Sequence, residues 1–291
     1  MIVADVLVVG GGIVGAAVAS ACAKRGLRVA LCERGALASG ASSLDLALLS
    51  GALAPPELRA TAERSVQEYG ELHRFTGGAF FLDPSVLDEG GPRRIDARAA
   101  AAALVDEARS YRAHVQTCCE VKRLLVRAGV VGGAITDAGE IRAETTVVAA
   151  GAGSWRVCRD LPVHVPVRSA PTDILVTEPA PFRLERPVIA GSAWIAQDVA
   201  GRLVAAGPDT AAGAFPELAD LPVLERRSLA APVTPDGLPL HGPLPGVGGL
   251  VLACGHGHYG ISCAPGVGAA IAEGVATGAW DATLGPTRLV A

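Results

Sequence analysis

The sequence predicts an α/β fold in which a mainly antiparallel sheet is inserted into a domain with a parallel sheet. Two observations indicate this fold. Residues 4–33 read as a strand, a glycine-rich turn, a helix and a second strand, which is the order of a parallel β-α-β unit. Residues 161–227 instead alternate apolar and polar side chains between prolines and turn signals, as antiparallel strands do.

The β-α-β unit comes first in the chain. Residues 4–9 form a short apolar run, as expected of a strand buried on both faces, and residues 27–32 form a second one. Between them, residues 13–25 are rich in Ala and Val and predict a helix, with Gly26 at the position of a left-handed cap. The second strand ends at Glu33.

The remaining elements follow from the same signals. Helices are predicted where Pro or Asp stands before a run of good helix formers, and strands where apolar residues lie between turn residues. The predicted helices are 56–75, 96–113 and 265–276, and the predicted strands are 79–82, 121–126, 130–136, 145–150 and 249–253. Residues 163–176 and 189–205 alternate and carry turn signals such as Asp198-Val-Ala-Gly201, which predicts several antiparallel strands there.

Composition excludes several classes of protein. Hydrophobic residues make up 50% and charged residues 19%, which excludes a disordered chain, and a net charge of −4 offers no field for nucleic acid. The seven cysteines contain no CxxC pair, so we expect buried thiols, no metal site and a cytoplasmic protein. The uncharged stretches 6–23 and 247–272 are rich in Gly, and we expect buried turns and helices there, without a membrane span.

A dinucleotide-binding fingerprint occupies the first turn. Gly10, Gly12 and Gly15 stand in the pattern G-x-G-x-x-G directly after the first strand. The first glycine permits the tight turn, the second lets the backbone approach a pyrophosphate, and the third allows close packing of helix on strand. Glu33, at the end of the second strand, is placed to accept hydrogen bonds from the ribose hydroxyls.

Four ordered blocks resemble the D-amino-acid oxidase and glycine oxidase superfamily of FAD-dependent oxidoreductases. They are the segment 5–15 with Glu33-Arg34 and Gly40-Ala-Ser-Ser43, then residues 147–155, 234–243 and 249–265. The resemblance is strong over residues 1–45 and 145–275 and weak over 46–139. It implies FAD as the cofactor and a Rossmann-like FAD-binding domain of the glutathione-reductase type that carries an antiparallel substrate domain.

The resemblance also implies site residues. The ADP half of FAD would be held by the fingerprint glycines, by Glu33 and by a group of three neighbouring side chains: Arg34, Ser42 and Ser43. Val121 would contact the adenine through its backbone, and Gly151 would lie near the pyrophosphate and ring. The turn from Gly255 to Ile261, with Gly257 and Gly260, would lie under the pyrimidine edge of the flavin, where backbone N–H groups stabilise negative charge.

The reaction that the resemblance implies is oxidation of a C–N bond in an amino acid or secondary amine. A hydride passes to flavin N5 and the imine hydrolyses in water. His256, His258 and Tyr259 lie in the flavin turn and are candidate pocket residues, although a structural role for each histidine remains open. Ala231 stands where the family commonly has an Arg for the substrate carboxylate, which speaks against simple glycine or D-alanine oxidation.

Alternatives to a self-sufficient enzyme remain at this point. The chain could be the flavin-carrying subunit of a heteromeric amine dehydrogenase, and the mean hydropathy of +0.39 favours an oligomer over a compact monomer with a wide pocket. A nicotinamide dehydrogenase is the third hypothesis, but a domain for NAD has no use for a second, distant glycine turn. We expect a discontinuous FAD-binding domain of residues 1–76, 96–160 and 235–291, and a substrate domain of 77–95 and 161–234.

Overall fold

The computed structural model describes residues 1–43, 47–49, 54–77, 80, 93–191, 193–281 and 285–286. Its larger sheet has eight strands, and the six that form a continuous path run in the order β14-β15-β8-β1-β2-β5. The strands are β1 (Ile2–Val9), β2 (Val29–Cys32), β5 (His114–Gln116), β6 (Val121–Arg127), β7 (Val130–Thr136), β8 (Gly139–Val148), β14 (Leu240–Pro243) and β15 (Leu250–Cys254). The four pairings β15-β8, β8-β1, β1-β2 and β2-β5 are parallel, which confirms the parallel sheet.

Strand β8 is longer than the predicted 145–150 because β1 pairs with it from Ile141 to Val148, while its other edge pairs first with β7 and then with β15. Its first half pairs antiparallel with β7 in a meander that begins with the β6–β7 hairpin. Along its other edge, β8 pairs with β1 in parallel register, from Ile141 opposite Ile2 to Val148 opposite Val9. The predicted hairpin is confirmed, and the meander covers one face of the sheet.

Helices cover the other face of the parallel sheet. They are α1 (Ile13–Lys24), α2 (Pro56–Thr76), α3 (Ala97–Ser110) and α6 (Gly260–Thr277). Helix α6 contacts both α1 and α2. The close approach depends on glycines, since a Cβ on Gly268 would lie 2.5 Å from the carbonyl oxygen of Ala17, and one on Gly266 would overlap the carbonyl of Thr61.

Helix ends follow the sequence signals. Pro56 is the first residue of α2, and Gly77 takes the left-handed conformation after its last turn. At α3 the carboxylate of Asp96 accepts a hydrogen bond of 2.8 Å from the backbone N–H of Ala99, as predicted for an N-cap. No helix in the described part of the chain is both long and apolar enough to cross a membrane.

A second sheet, here called the cap sheet, has five antiparallel strands in the order β10-β11-β12-β9-β13. This confirms the predicted antiparallel insertion. Its strands are β9 (Arg168–Pro179), β10 (Val188–Ala190), β11 (Ala193–Gln197), β12 (Arg202–Ala206) and β13 (Val223–Val233). Two further short helices, α4 (Ser154–Val157) and α5 (Pro208–Ala214), precede β9 and follow β12, and β3 (Ala47–Leu49) pairs with β4 (Arg93–Ile95).

Three expectations need comment. Most of the predicted strand 79–82 lies outside the described residues. The last helix begins at Gly260, five residues before the predicted start at Pro265, because side chains of α2 provide hydrogen-bond partners around the proline. The division into domains stays a prediction. In the structure, β14 and β15 belong to the same sheet as the N-terminal strands, and α6 packs against the N-terminal helices α1 and α2.

Candidate functional site

The glycine turn after β1 has the geometry that each position of the fingerprint requires. Gly10 has φ +113°, and a Cβ there would lie 2.5 Å from the carbonyl oxygen of Ala149 on the neighbouring strand connection. A Cβ on Gly15 would overlap the carbonyl oxygen of Gly10. At Gly12 the nearest atom to an added Cβ is the hydroxyl of Ser42, at 3.3 Å. Gly10 and Gly15 are therefore fixed by packing, whereas Gly12 opens toward the cavity.

Side chains from two other segments hold this turn in place. The carboxylate of Glu33 accepts hydrogen bonds from the backbone N–H of Gly11, at 2.7 Å, and of Gly35, at 2.8 Å. The hydroxyl of Ser42 accepts a hydrogen bond of 3.0 Å from the N–H of Ile13, the first residue of α1. A carboxylate has about four acceptor positions, and two of those of Glu33 are occupied by these N–H groups. The others remain available to accept hydrogen bonds from two ribose hydroxyls.

One cavity of about 680 Å³ connects this turn with the C-terminal glycine turn. Twelve of the sixteen predicted site residues line it: Gly10, Gly12, Glu33, Arg34, Ser42, Val121, Gly151, His256, Gly257, His258, Gly260 and Ile261. The volume lies within the range of cofactor and ligand sites.

Four predicted residues lie behind the cavity wall instead. Gly15 packs beneath the turn, and the backbone N–H of Ser43 donates to the carbonyl of Gly40. A Cβ on Gly255 would lie 2.5 Å from a methyl carbon of Thr234, so this glycine is also fixed by packing. Tyr259 packs against the main core cluster.

Two buried histidines form a pair beside the C-terminal turn. Nε2 of His256 and Nε2 of His241, on β14, are 2.7 Å apart, so one ring donates and the other accepts. Burial lowers the pKa of His256 to about 3, which keeps this ring neutral. His258 lines the cavity with an exposed side chain, and the surrounding atoms lower its pKa as well. The contact between His241 and His256 was not predicted from the sequence.

The start of α6 is shaped by a proline inside the helix. Pro265 has no N–H to donate to the carbonyl of Ile261, and the buried Tyr69 on α2 donates its hydroxyl to that carbonyl at 2.9 Å. The next N–H, on Gly266, donates to the hydroxyl of Ser65 at 2.9 Å. Because α2 supplies both missing partners, the helix extends through Pro265 and begins at Gly260, on the cavity wall.

The cap sheet forms the wall at the far end of the cavity, and sequence reasoning missed most of it. On β9 alternate residues face the cavity, which is the signal that would have identified them, whereas on β13 the consecutive residues 229–232 all line it. The wall includes Thr172, Ile174, Trp194, Ala206, Leu229 and Ala231.

Cations line the other end of the cavity, which we call the nucleotide end because it holds Gly12 and Glu33. Arg34 directly follows Glu33, and Lys122 directly follows Val121. Arg156, on α4, and Arg159 also line the cavity, and α4 packs against β6, where Val121 and Lys122 lie. The sequence placed neither Arg156 nor Arg159 in the site. Trp155 is 44% exposed, and the Arg156 guanidinium lies over its ring.

The residues present fit FAD. A turn that admits a pyrophosphate at Gly12, the N-terminus of α1 and four cations favour an anionic nucleotide at one end. The cavity then continues past Gly151 to the first turn of α6, where there is room for a second, less polar group.

Comparisons with known proteins agree with this geometry. A family model described as "DAO: FAD dependent oxidoreductase" matches residues 5–84 and 85–274. A glycine oxidase from Geobacillus kaustophilus is 27% identical, with 92% of each chain covered. A glycine oxidase from Pseudomonas aeruginosa is 30% identical over 52% of this chain, and the match spans 46% of that protein's length.

A likeness in fold extends to the solved structures. The crystal structure of L-proline dehydrogenase from P. horikoshii has a TM-score of 0.83 at 20% identity and covers 95% of this chain and 94% of that one. Since the family model covers most of the chain, the match settles the family. This chain belongs to the DAO family of FAD-dependent oxidoreductases.

Proposed function

We propose that the chain uses FAD to oxidise the C–N bond of an amino acid or amine. The observation that carries this proposal is the single cavity that joins the dinucleotide turn to the wall of the cap sheet. At the nucleotide end, Gly12, Ser42 and Glu33 would hold the ADP half of FAD, and at the other end the substrate would lie against the cap sheet. The glycine oxidase relatives support amine chemistry in this family.

FAD, when bound, supplies the acceptor for a hydride at its N5 atom. The substrate carbon loses that hydride and the nitrogen loses a proton, so a C=N bond replaces the C–N bond and water then hydrolyses the imine. The chain's own work is to align the amine, exclude water and keep the amine neutral. Desolvation lowers the pKa of His258, so its imidazole is neutral near pH 7 and offers the substrate amine a hydrogen-bond partner without a positive charge.

The first turn of α6 supports the same arrangement. Gly260 and Ile261 place the positive end of this helix on the cavity wall. A positive helix end stabilises negative charge, which suits the ring of a cofactor that gains electrons. Tyr69 and Ser65 fix this end, so its position is built into the core.

A second candidate function is a flavin-carrying subunit of a heteromeric amine dehydrogenase. Four apolar side chains are exposed at the end of the cap sheet where β9 ends and β13 begins: Phe182, Val199, Val223 and Leu224. Exposed apolar groups of this kind favour association. A purified chain that oxidises amines at ordinary rates as a monomer would exclude this alternative.

The proposed function is tested by mixing the FAD-bound protein with amines and amino acids without oxygen. We expect loss of the absorption of oxidised flavin and formation of the aldehyde or keto product together with ammonia or an amine. A protein that binds FAD but keeps it oxidised with every amine and amino acid would refute the proposal.

A further inference from the structure

The cap-sheet wall of the cavity has a defined order across the strands. Trp194 on β11 lies opposite Ala206 on β12, and Ala206 lies opposite Ile174 on β9. Two residues earlier on β9, Thr172 lies opposite Leu229 on β13. Because residues two apart share a face, these side chains form one surface, and each of them lines the cavity together with Ala231. We call this surface the cap wall.

The cap wall carries no charge. The described cations that line the cavity are the four at its nucleotide end.

Arg227 is the cation nearest to the cap wall by strand register, since it lies opposite Ile174. It is not among the residues that line the cavity, and its Nε lies 3.7 Å from a carboxylate oxygen of Glu225. Nε of Arg227 is buried and makes no hydrogen bond within the described chain, so Arg227 is the described cation whose role at the cap wall has to be tested directly.

Thr172 supplies one polar atom to the cap wall. Its hydroxyl oxygen is buried and makes no hydrogen bond within the described chain. A buried hydroxyl without a partner is uncommon, and a hydroxyl can both donate and accept. An amine nitrogen is a suitable partner, and the ring of Trp194 adds an aromatic surface that tolerates an ammonium group.

We propose, on the basis of the function proposed above, that the site takes amines whose reacting carbon carries an apolar or neutral substituent in place of a carboxylate. The hydroxyl of Thr172 would bind the amine nitrogen. A carboxylate beside Ala231, Leu229 and Ile174 would be desolvated without a cation, which is strongly unfavourable, whereas an alkyl group or an amide is accepted there.

Substrate pairs that differ only in the carboxylate test this inference. Pyrrolidine is compared with proline, and isopentylamine with both enantiomers of leucine, by the rate at which each reduces the flavin of the FAD-bound protein. Leucinamide is the matched control for size, because it is nearly isosteric with leucine but lacks the negative charge. We expect the amines and the amide to be at least ~100-fold more efficient than the acids. Acids that react as well as the amide would overturn the inference and leave the proposed function intact.

Ligand binding tests the same inference without turnover. Benzoate and benzamide are titrated into the FAD-bound protein, and binding is followed by the change in the flavin spectrum. We expect benzamide to bind at least as tightly as benzoate, and benzoate that binds ~10-fold more tightly would contradict a neutral wall. This comparison decides the inference even if no compound is oxidised, in which case the proposed function alone fails.

Variants locate the effect on the cap wall. Ala231→Arg should tighten benzoate binding ~10-fold or more, whereas Ala231→Met, of similar reach but uncharged, should not. Thr172→Val should lower the efficiency with isopentylamine ~10-fold, because it removes a hydrogen bond at nearly constant shape. Arg227→Gln should leave the ratio of benzoate to benzamide affinity unchanged. A selective loss of benzoate binding in Arg227→Gln would show that Arg227 holds a carboxylate, and would overturn the inference.

Discussion

Replacing Tyr69 with Phe tests how the cavity wall is built from the core. The substitution removes only a hydroxyl, and the ring keeps its neighbour Phe80, whose centroid lies 6.0 Å away. The carbonyl of Ile261 then loses its donor, and Pro265 cannot provide another. A buried carbonyl without a partner costs about 1–3 kcal/mol, and Tyr69 is fully buried, so we expect the free energy of unfolding to fall by that amount.

Urea denaturation of the FAD-free protein measures this change directly. The matched control is Tyr111→Phe, because Tyr111 is 50% exposed and its substitution should change the free energy of unfolding by less than about 0.5 kcal/mol. We also expect Tyr69→Phe to weaken FAD binding, since it loosens the first turn of α6. Equal urea midpoints for the two variants would refute the role assigned to Tyr69.

Three further predictions concern the fingerprint and the histidine pair. Gly15→Ala should prevent correct folding because its Cβ would overlap the carbonyl of Gly10, whereas Gly12→Ala should fold but bind FAD weakly. Soluble yield and flavin content distinguish the two variants. A well-folded Gly15→Ala protein would contradict the packing described for this glycine. Glu33→Gln should lower FAD affinity at least ~10-fold, since the amide loses acceptor positions, and unchanged affinity in a flavin titration would count against the ribose assignment. Because the pKa of His256 is lowered to about 3 in the folded state from its ordinary 6.5, the unfolded chain binds the extra proton between these two pH values, and stability should fall by up to about 1.4 kcal/mol for each pH unit from 6.5 down to about 3. His256→Asn should flatten this dependence in urea titrations at several pH values, and an equal slope in both proteins would exclude His256 as its source.

The N-terminal half of the site could be predicted from sequence because its determinants are local. Gly10, Gly12 and Gly15 act within one turn, and their roles follow from steric limits on neighbouring backbone. Glu33 was predicted as a ribose ligand, and the structure adds that it holds Gly11 and Gly35. That second role depends on how the end of β2 meets the turn, which spacing alone does not specify.

The C-terminal half was harder because its determinants are distant in the chain. Taken alone, Pro265 predicts the start of a helix. The helix instead begins at Gly260 because Tyr69, 192 residues before Ile261, donates its hydroxyl to the Ile261 carbonyl that the proline leaves without a donor. The contact of His241, on β14, with His256, in the turn after β15, likewise depends on tertiary structure. The cap wall depends on the register of four strands, so neither Thr172 nor Trp194 could be placed before the pairing was known.

Titration of the FAD-free chain with FAD tests the central claim most directly, because the whole account depends on one cavity that holds this cofactor. We predict that one equivalent of FAD binds, that the protein becomes yellow, and that ADP competes for the nucleotide end at Gly12 and Glu33. A correctly folded protein that stays colourless at saturating FAD, or that binds FAD without competition from ADP, would contradict the account.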